Sequence, residues 1–343
     1  MKAKIETSFS KDRQLLHKVI PLDTPFTVVL EPTTYCNLKC NFCIQSLPKS
    51  EMLKNGHTFF KMEKQTFETF LAQLKEFSKP IKSIAFIGSG EPLLHEDLPF
   101  MIQRLKESHV VERVTVVTNG TLLSRSLSSA LINAGLDVLK ISVNGLSADD
   151  YLKTCGTKID FEKYVSEIAW LYENKGEMSV FIKTLDTALR EKTEVDFYRI
   201  FGNYCDKISI ENTLTAHPGV SYENLNLNHD KSSLYAGVKN RPDVCSALFY
   251  ILFVRSNGKV HLCCNSWYAP TDESMYIQKR SLYQLWNSKE RREAMLNILQ
   301  KKFEGFTARC KECQSKNILA YAEDYLDPYA SDIYDRIIAM EEL

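Results

Sequence analysis

The chain reads as an α/β protein: a partial TIM-like barrel followed by a small domain made of a β-hairpin and a helix. Two observations predict this. Six short apolar runs rich in β-branched residues, between Phe26 and Ile210, are separated by five stretches with apolar residues at helical spacing. Regular βα alternation means a parallel sheet with right-handed crossovers. A cysteine loop and a Gly-Ser-Gly-Glu turn follow the first two runs directly. Parallel barrels collect their ligands at the C-terminal ends of the strands, so that placement is the expected one.

Residues 1–24 form a polar lead, with one short helix expected near Gln14–Val19. The first strand is expected over 26–31, between two prolines, and residues 44–61 as a loop containing Pro48 and Gly56. Phe67, Phe70, Leu71, Leu74 and Phe77 recur at the period of an amphipathic helix over 62–78, which Pro80 stops. Strands are expected at 81–87, 113–117, 138–143, 178–184 and 207–210, with helices at 97–108, 124–134, 160–174 and 192–201 between them. The barrel then occupies 25–215. Residues 216–240 read as a linker and 241–315 as a second domain. In that domain Ser246–Val254 and Lys259–Leu262 flank Ser256-Asn257-Gly258, a hairpin signal, and Leu282 to Leu299 marks a helix. Residues 316–343 are an acidic, partly helical tail.

Composition narrows the function classes. Lys+Arg and Asp+Glu are 43 each, so no net field draws the chain to nucleic acid or to an anionic membrane. The longest clear apolar run, Ala247–Val254, is too short for a bilayer core of about 30 Å, and the charged start lacks a signal-peptide core. The ten cysteines are clustered, which points to metal rather than a disulfide framework. A soluble protein of a reducing cytoplasm is expected, with no membrane and no nucleic-acid partner.

Cys36, Cys40 and Cys43 are spaced CxxxCxxC on one short loop. Soft thiolates at that density suit an iron–sulfur cluster or zinc. Three ligands leave a structural zinc tetrahedron open, which favours the cluster. Cys245, Cys263, Cys310 and Cys313 form a second set of four, which suits a zinc ribbon or a cluster. In Gly88-Ser89-Gly90-Glu91, glycines permit close backbone approach and a carboxylate can accept from an ammonium group. Asn119, Ser142 and Asn144 end the third and fourth strands, where they suit ribose hydroxyls or ordinary turns. Lys183, Glu211 and His217 are candidate bases, the first two equally readable as exposed strand-end charges. Cys155, Cys205 and Cys264 read as packing thiols or spare reactive ones.

The CxxxCxxC loop, with Phe42 before its last cysteine, resembles the signature of the radical S-adenosylmethionine (SAM) superfamily. The resemblance implies a (β/α)6 barrel. It implies a [4Fe–4S] cluster on Cys36, Cys40 and Cys43 whose open iron chelates SAM, and cleavage of SAM to a 5′-deoxyadenosyl radical that abstracts hydrogen from substrate. Ser89-Gly90-Glu91 resembles the family's GGE motif for the SAM amino group, and Asn119, Ser142 and Asn144 resemble positions lining the SAM cavity. Cys155 stands where related sequences often carry an arginine. The order Cx12Gx4C…CxxC resembles the first part of the SPASM extension, truncated to a twitch domain with one auxiliary [4Fe–4S] cluster.

The resemblance further implies oxidation of a small molecule, first a sugar or aminocyclitol alcohol. The auxiliary cluster would accept an electron, Lys183, Glu211 or His217 a proton, and a flavodoxin- or ferredoxin-type protein would be the reductant. Peptide modification and sugar epimerisation are the alternatives. About 25 residues precede the barrel, few for a leader-peptide recognition domain. A non-catalytic two-cluster carrier would not need Gly90, Glu91 and Ser142.

Overall fold

The computed structural model describes all residues except 8–12, 216, 218, 226, 228–233, 235–241, 264–273, 312, 314, 315, 317–320 and 340–343. Its strands are β1 (Lys4–Ile5), β2 (Thr27–Leu30), β3 (Ser83–Phe86), β4 (Val114–Thr118), β5 (Val138–Val143), β6 (Ser179–Leu185), β7 (Lys207–Glu211), β8 (Ile251–Val254) and β9 (Val260–His261). They form one sheet in the order β1-β7-β6-β5-β4-β3-β2-β8-β9. Only β8–β9 is antiparallel.

The six expected barrel strands are β2 to β7. Helices α3 (Lys64–Leu74), α4 (Leu98–Ser108), α5 (Arg125–Asn133), α7 (Phe161–Asn174) and α8 (Glu194–Phe201) lie between them. In α3 the spaced residues Phe67, Phe70, Leu71 and Leu74 are all buried. Side chains alternate across each strand. On β5, Leu139, Ile141 and Val143 are buried in the apolar layer, while Lys140 and Ser142 take the opposite, lumen face.

Sequence and structure differ in several places. β1 lies inside the expected polar lead, where it pairs with the edge of β7. The expected loop 44–61 contains a helix, α2 (Lys49–Lys54), and a further helix, α6 (Ala148–Cys155), follows β5. Residues 246–254 are not one strand. Ala247–Tyr250 is a helical turn (α9), and only Ile251–Val254 is extended. The stretch 282–299 is two helices, α10 (Leu282–Trp286) and α11 (Lys289–Leu299). The break falls where the Ser288 side chain accepts from Arg291 N and starts the second.

The strands after the expected linker do not start a separate sheet. β8 pairs in parallel with β2, Thr27 opposite Ile251, so the barrel sheet continues through it. The β8–β9 turn needs Gly258, whose φ of +83° few side chains tolerate. Arg291 ties α11 to this region. It is buried, donates to the carbonyls of Trp286 and Leu248, and lies 3.3 Å from the Trp286 ring centroid.

The acidic tail packs on the N-terminal lead. Asp324 pairs with Arg13, Tyr329 stacks on His17 at 3.7 Å, and Arg336 of α12 (Ala330–Ala339) donates to the His17 carbonyl. No described helix is long and apolar enough to cross a membrane.

Candidate active site

Cys36, Cys40 and Cys43 lie on the loop after β2, at the C-terminal end of the sheet. Burial pushes the Cys36 and Cys43 thiols up to about 12, and the neighbouring cysteines of the loop add to it. Cys40 also lies well above the ordinary thiol range, first through its hydrogen bond with Cys155 and then through burial. Buried, converging thiols without a counter-charge are what an iron–sulfur core takes up. Such clusters are held by cysteine thiolates, and the cation reverses the local preference for the protonated form. The donor set therefore fits the cluster. Among the described residues no group of three ligands closes tightly enough for a single metal ion.

The Gly-Ser-Gly-Glu turn packs directly on this loop. A Cβ at Gly90 would stand 2.4 Å from the carbonyl oxygens of Thr33 and Tyr35, and one at Gly88 would stand 2.4 Å from Glu31 Cγ. Glu91 N donates to Tyr35 O at 2.8 Å. Gln45 Nε2 bridges Thr34 O and Ser89 O at 2.9 and 2.6 Å. Gly90→Ala is expected to destabilise the fold by about 1–3 kcal/mol through overpacking against backbone. It should also lower iron incorporation. Thermal melting and iron analysis of the reconstituted variant check both, and a wild-type result in both would refute the packing role.

The Glu91 carboxylate is buried and engaged within the chain. It accepts from Leu93 N at 2.9 Å, Thr118 Oγ1 at 2.5 Å and Asn119 N at 2.8 Å. Burial raises its pKa, against the lowering effect of these donors. Glu91 thus fixes the end of β3 to the end of β4. Asn119 is similarly occupied: its Nδ2 donates to Asn37 Oδ1 on the cysteine loop at 3.0 Å, and its Oδ1 accepts from Thr121. Asn144 Nδ2 donates to Cys40 Sγ at 3.6 Å. Ser142, half-buried at the lumen mouth, sits in register with Lys183.

The structure brings Lys183 and Glu211 together as an ion pair of 2.6 Å. His217 stands elsewhere. Its backbone N–H donates to the Tyr222 hydroxyl, which donates to the Phe42 carbonyl on the cysteine loop. A residue that sequence reasoning passed over completes the lumen group. Lys140 of β5 is held down to about 8, first by burial, then by Lys183 against the opposite pull of Glu211. Its signal was a lysine among four apolar residues on a strand flanked by parallel neighbours. Ser209, next to Lys183 in register, has a buried hydroxyl without a hydrogen-bond partner among the described residues. Tyr321 of the tail comes within electrostatic reach of Glu211.

The second cysteine set also converges. Burial pushes Cys245 up to about 12, and Cys263, Cys310 and Cys313 each add to it; Cys310 is pushed up to about 12 by burial, Cys263 and Cys313. The donors fit a cluster here too. All nine described cysteines are free thiols, and Cys264 lies outside the described residues.

These two thiol centres beside one largely parallel sheet define an iron–sulfur enzyme built on a partial barrel. Residues 30–201 match the radical SAM superfamily and residues 245–314 match an iron–sulfur cluster-binding domain of the SPASM type. The chain belongs to the radical SAM superfamily, and its cofactors are SAM and [4Fe–4S] clusters. A GTP 3′,8-cyclase of Lactiplantibacillus plantarum is 35% identical over 127 residues, 37% of this chain and 36% of that protein. The chain thus spans little more than a third of that relative's length. The fold is similar to Streptococcus suis SuiB bound to S-adenosylmethionine, with a TM-score of 0.61 and 17% identity over 88% of this chain and 74% of that one. It is also similar to BtrN in complex with AdoMet and 2-DOIA, with a TM-score of 0.52 and 16% identity over 88% and 97%.

Proposed function

We propose that the chain oxidises an alcohol carbon of a small sugar-like or aminocyclitol substrate. The observation that carries this reading is the second cysteine set. Four protein thiols converge there, so substrate has no ligand position left and the centre is suited to electron transfer. The likeness in fold to BtrN supports it. When bound, the first cluster and SAM supply the 5′-deoxyadenosyl radical, and the auxiliary cluster supplies a one-electron sink.

The chain's own residues do the rest. Cys36, Cys40 and Cys43 would hold the first cluster, and the Gly90-Glu91 turn packs on the loop that carries them. Ser142, at the lumen mouth, would face the SAM ribose, while the Asn119 and Asn144 side chains brace the cysteine loop. Oxidation of a carbinol to a ketone removes a hydrogen atom, an electron and the hydroxyl proton; the bound groups would supply the first two removals, and the lumen residues would take the proton. Lys140, held down to about 8 by burial, is about half neutral near pH 8 and is the better proton acceptor. A flavodoxin- or ferredoxin-type protein of the cytoplasm supplies the reducing electron.

A second reading is a nucleotide substrate. The curated relatives named GTP 3′,8-cyclase favour it, as do the lysines Lys140 and Lys183 on the lumen strands. Peptide modification and epimerisation lack such an observation. The test is anaerobic incubation with SAM, reductant and carbon-deuterated sugars and aminocyclitols, with ribose-deuterated GTP in parallel. Deuterium in 5′-deoxyadenosine together with a ketone product supports alcohol oxidation. Deuterium arriving from GTP alone overturns it.

A further inference from the structure

The β5–α6 unit grips the cysteine loop at one point. The backbone N–H groups of Lys39 and Asn41, on either side of Cys40, donate to the carbonyls of Cys155 and Thr154 at 3.0 and 2.9 Å. These carbonyls close the C-terminal turn of α6, which Gly156 ends at a φ of +62°. The same unit sends two side chains to the sulfur between them. Cys155 Sγ lies 3.4 Å from Cys40 Sγ, and Asn144 Nδ2 lies 3.6 Å from it. Neither group is left to chance. Cys155 is fully buried, and the Tyr151 hydroxyl accepts from Asn144 N at 3.2 Å. Among the described residues Cys36, by contrast, receives a backbone donor, Leu38 N at 3.5 Å.

As a cluster ligand Cys40 is a thiolate and can only accept. The Cys155 thiol and the Asn144 amide must then both be donors to it. Donors to a ligating sulfur stabilise the extra electron of the reduced cluster more than the oxidised form, and so raise its potential.

We propose that Cys155 and Asn144 are positioning residues that set the reduction potential of the first cluster through Cys40. The effect does not depend on which substrate the enzyme oxidises. Cys155 here takes no part in hydrogen transfer.

The test is an anaerobic redox titration of the full-length two-cluster protein, following by EPR the signal that changes when SAM is added. Cys155→Ala and Asn144→Ala should each lower the midpoint, by up to about tenfold in the reduction equilibrium, which is about 59 mV for one electron. Cys155→Ser keeps a donor and should stay at or above the wild-type value. A purely structural role would shift Cys155→Ser and Cys155→Ala alike, and that result overturns the proposal. So does an unchanged midpoint in Asn144→Ala. That second arm decides the matter if Cys155→Ala fails to take up a cluster.

Discussion

Replacing Cys36, Cys40 and Cys43 together with alanine is expected to abolish SAM cleavage and to lower the iron content from about eight to about four per chain, each [4Fe–4S] cluster carrying four. The three thiols share one loop, where burial pushes Cys36 and Cys43 up and each feels the neighbouring thiols. Replacing Cys310 and Cys313 should give the complementary result. Iron again falls to about four, 5′-deoxyadenosine still forms, and ketone product disappears, because the proposed electron sink is gone. Iron and sulfide analysis with chromatography of 5′-deoxyadenosine separates the two. Zinc at the second site of the wild type, with about four irons in all, would refute the electron-sink role and leave a single-cluster enzyme.

The asymmetry between these two experiments reflects how differently the two centres are written into the chain. The first needs eight consecutive residues on a loop whose position follows from strand β2, so spacing alone located it. The second spans Cys245 to Cys313, and its closure depends on β8 joining the barrel sheet beside β2. Local sequence gave Ser246–Val254 as one strand. Yet Leu248 O is claimed by Arg291 of α11, and the chain coils once through Ala247–Tyr250 before extending. That contact joins residues 43 positions apart, beyond the reach of periodicity.

Strands were legible where apolar residues alternate along a short run; Val138–Val143 is the same in sequence and structure. β1 was not legible. Two residues carry no period, and the strand exists only because the edge of β7 offers it partners. The glycines of the Gly-Ser-Gly-Glu turn were legible as a close approach, but not what approached. The structure shows the cysteine loop itself against them, with the Glu91 carboxylate turned into the chain. Cys155 and Cys40 lie 115 residues apart, and nothing in one dimension pairs them.

Lys140→Met is expected to make the protein more stable at pH 7 while nearly silencing ketone formation. The two effects share one cause. Burial and Lys183 hold Lys140 at about 8 in the folded chain, against an ordinary 10.5. Below pH 8 the lysine is protonated whether folded or not, and the full cost of the buried charge, on the order of 3 kcal/mol, is present. Between pH 8 and 10.5 the folded chain releases that proton while the unfolded chain keeps it, so wild-type stability rises with pH through this window. Above 10.5 both forms are neutral and the cost is gone. The variant should lack that rise, which denaturant titrations at pH 7 and pH 10 measure directly. The groups facing Lys140 are Lys183 on β6, Glu211 and Lys207 on β7, and Arg113 before β4. Of these the Lys183–Glu211 pair is retained in the variant. Wild-type turnover should climb as pH approaches 8 and then level, as the proton acceptor becomes neutral. Lys140→Met should lose this limb and about 10²–10⁴-fold in ketone formation while still making 5′-deoxyadenosine. A variant that keeps the limb at pH 8 would move the acceptor role to another group. One that is less stable than wild type at pH 7 would show that Lys140 holds the lumen together rather than straining it.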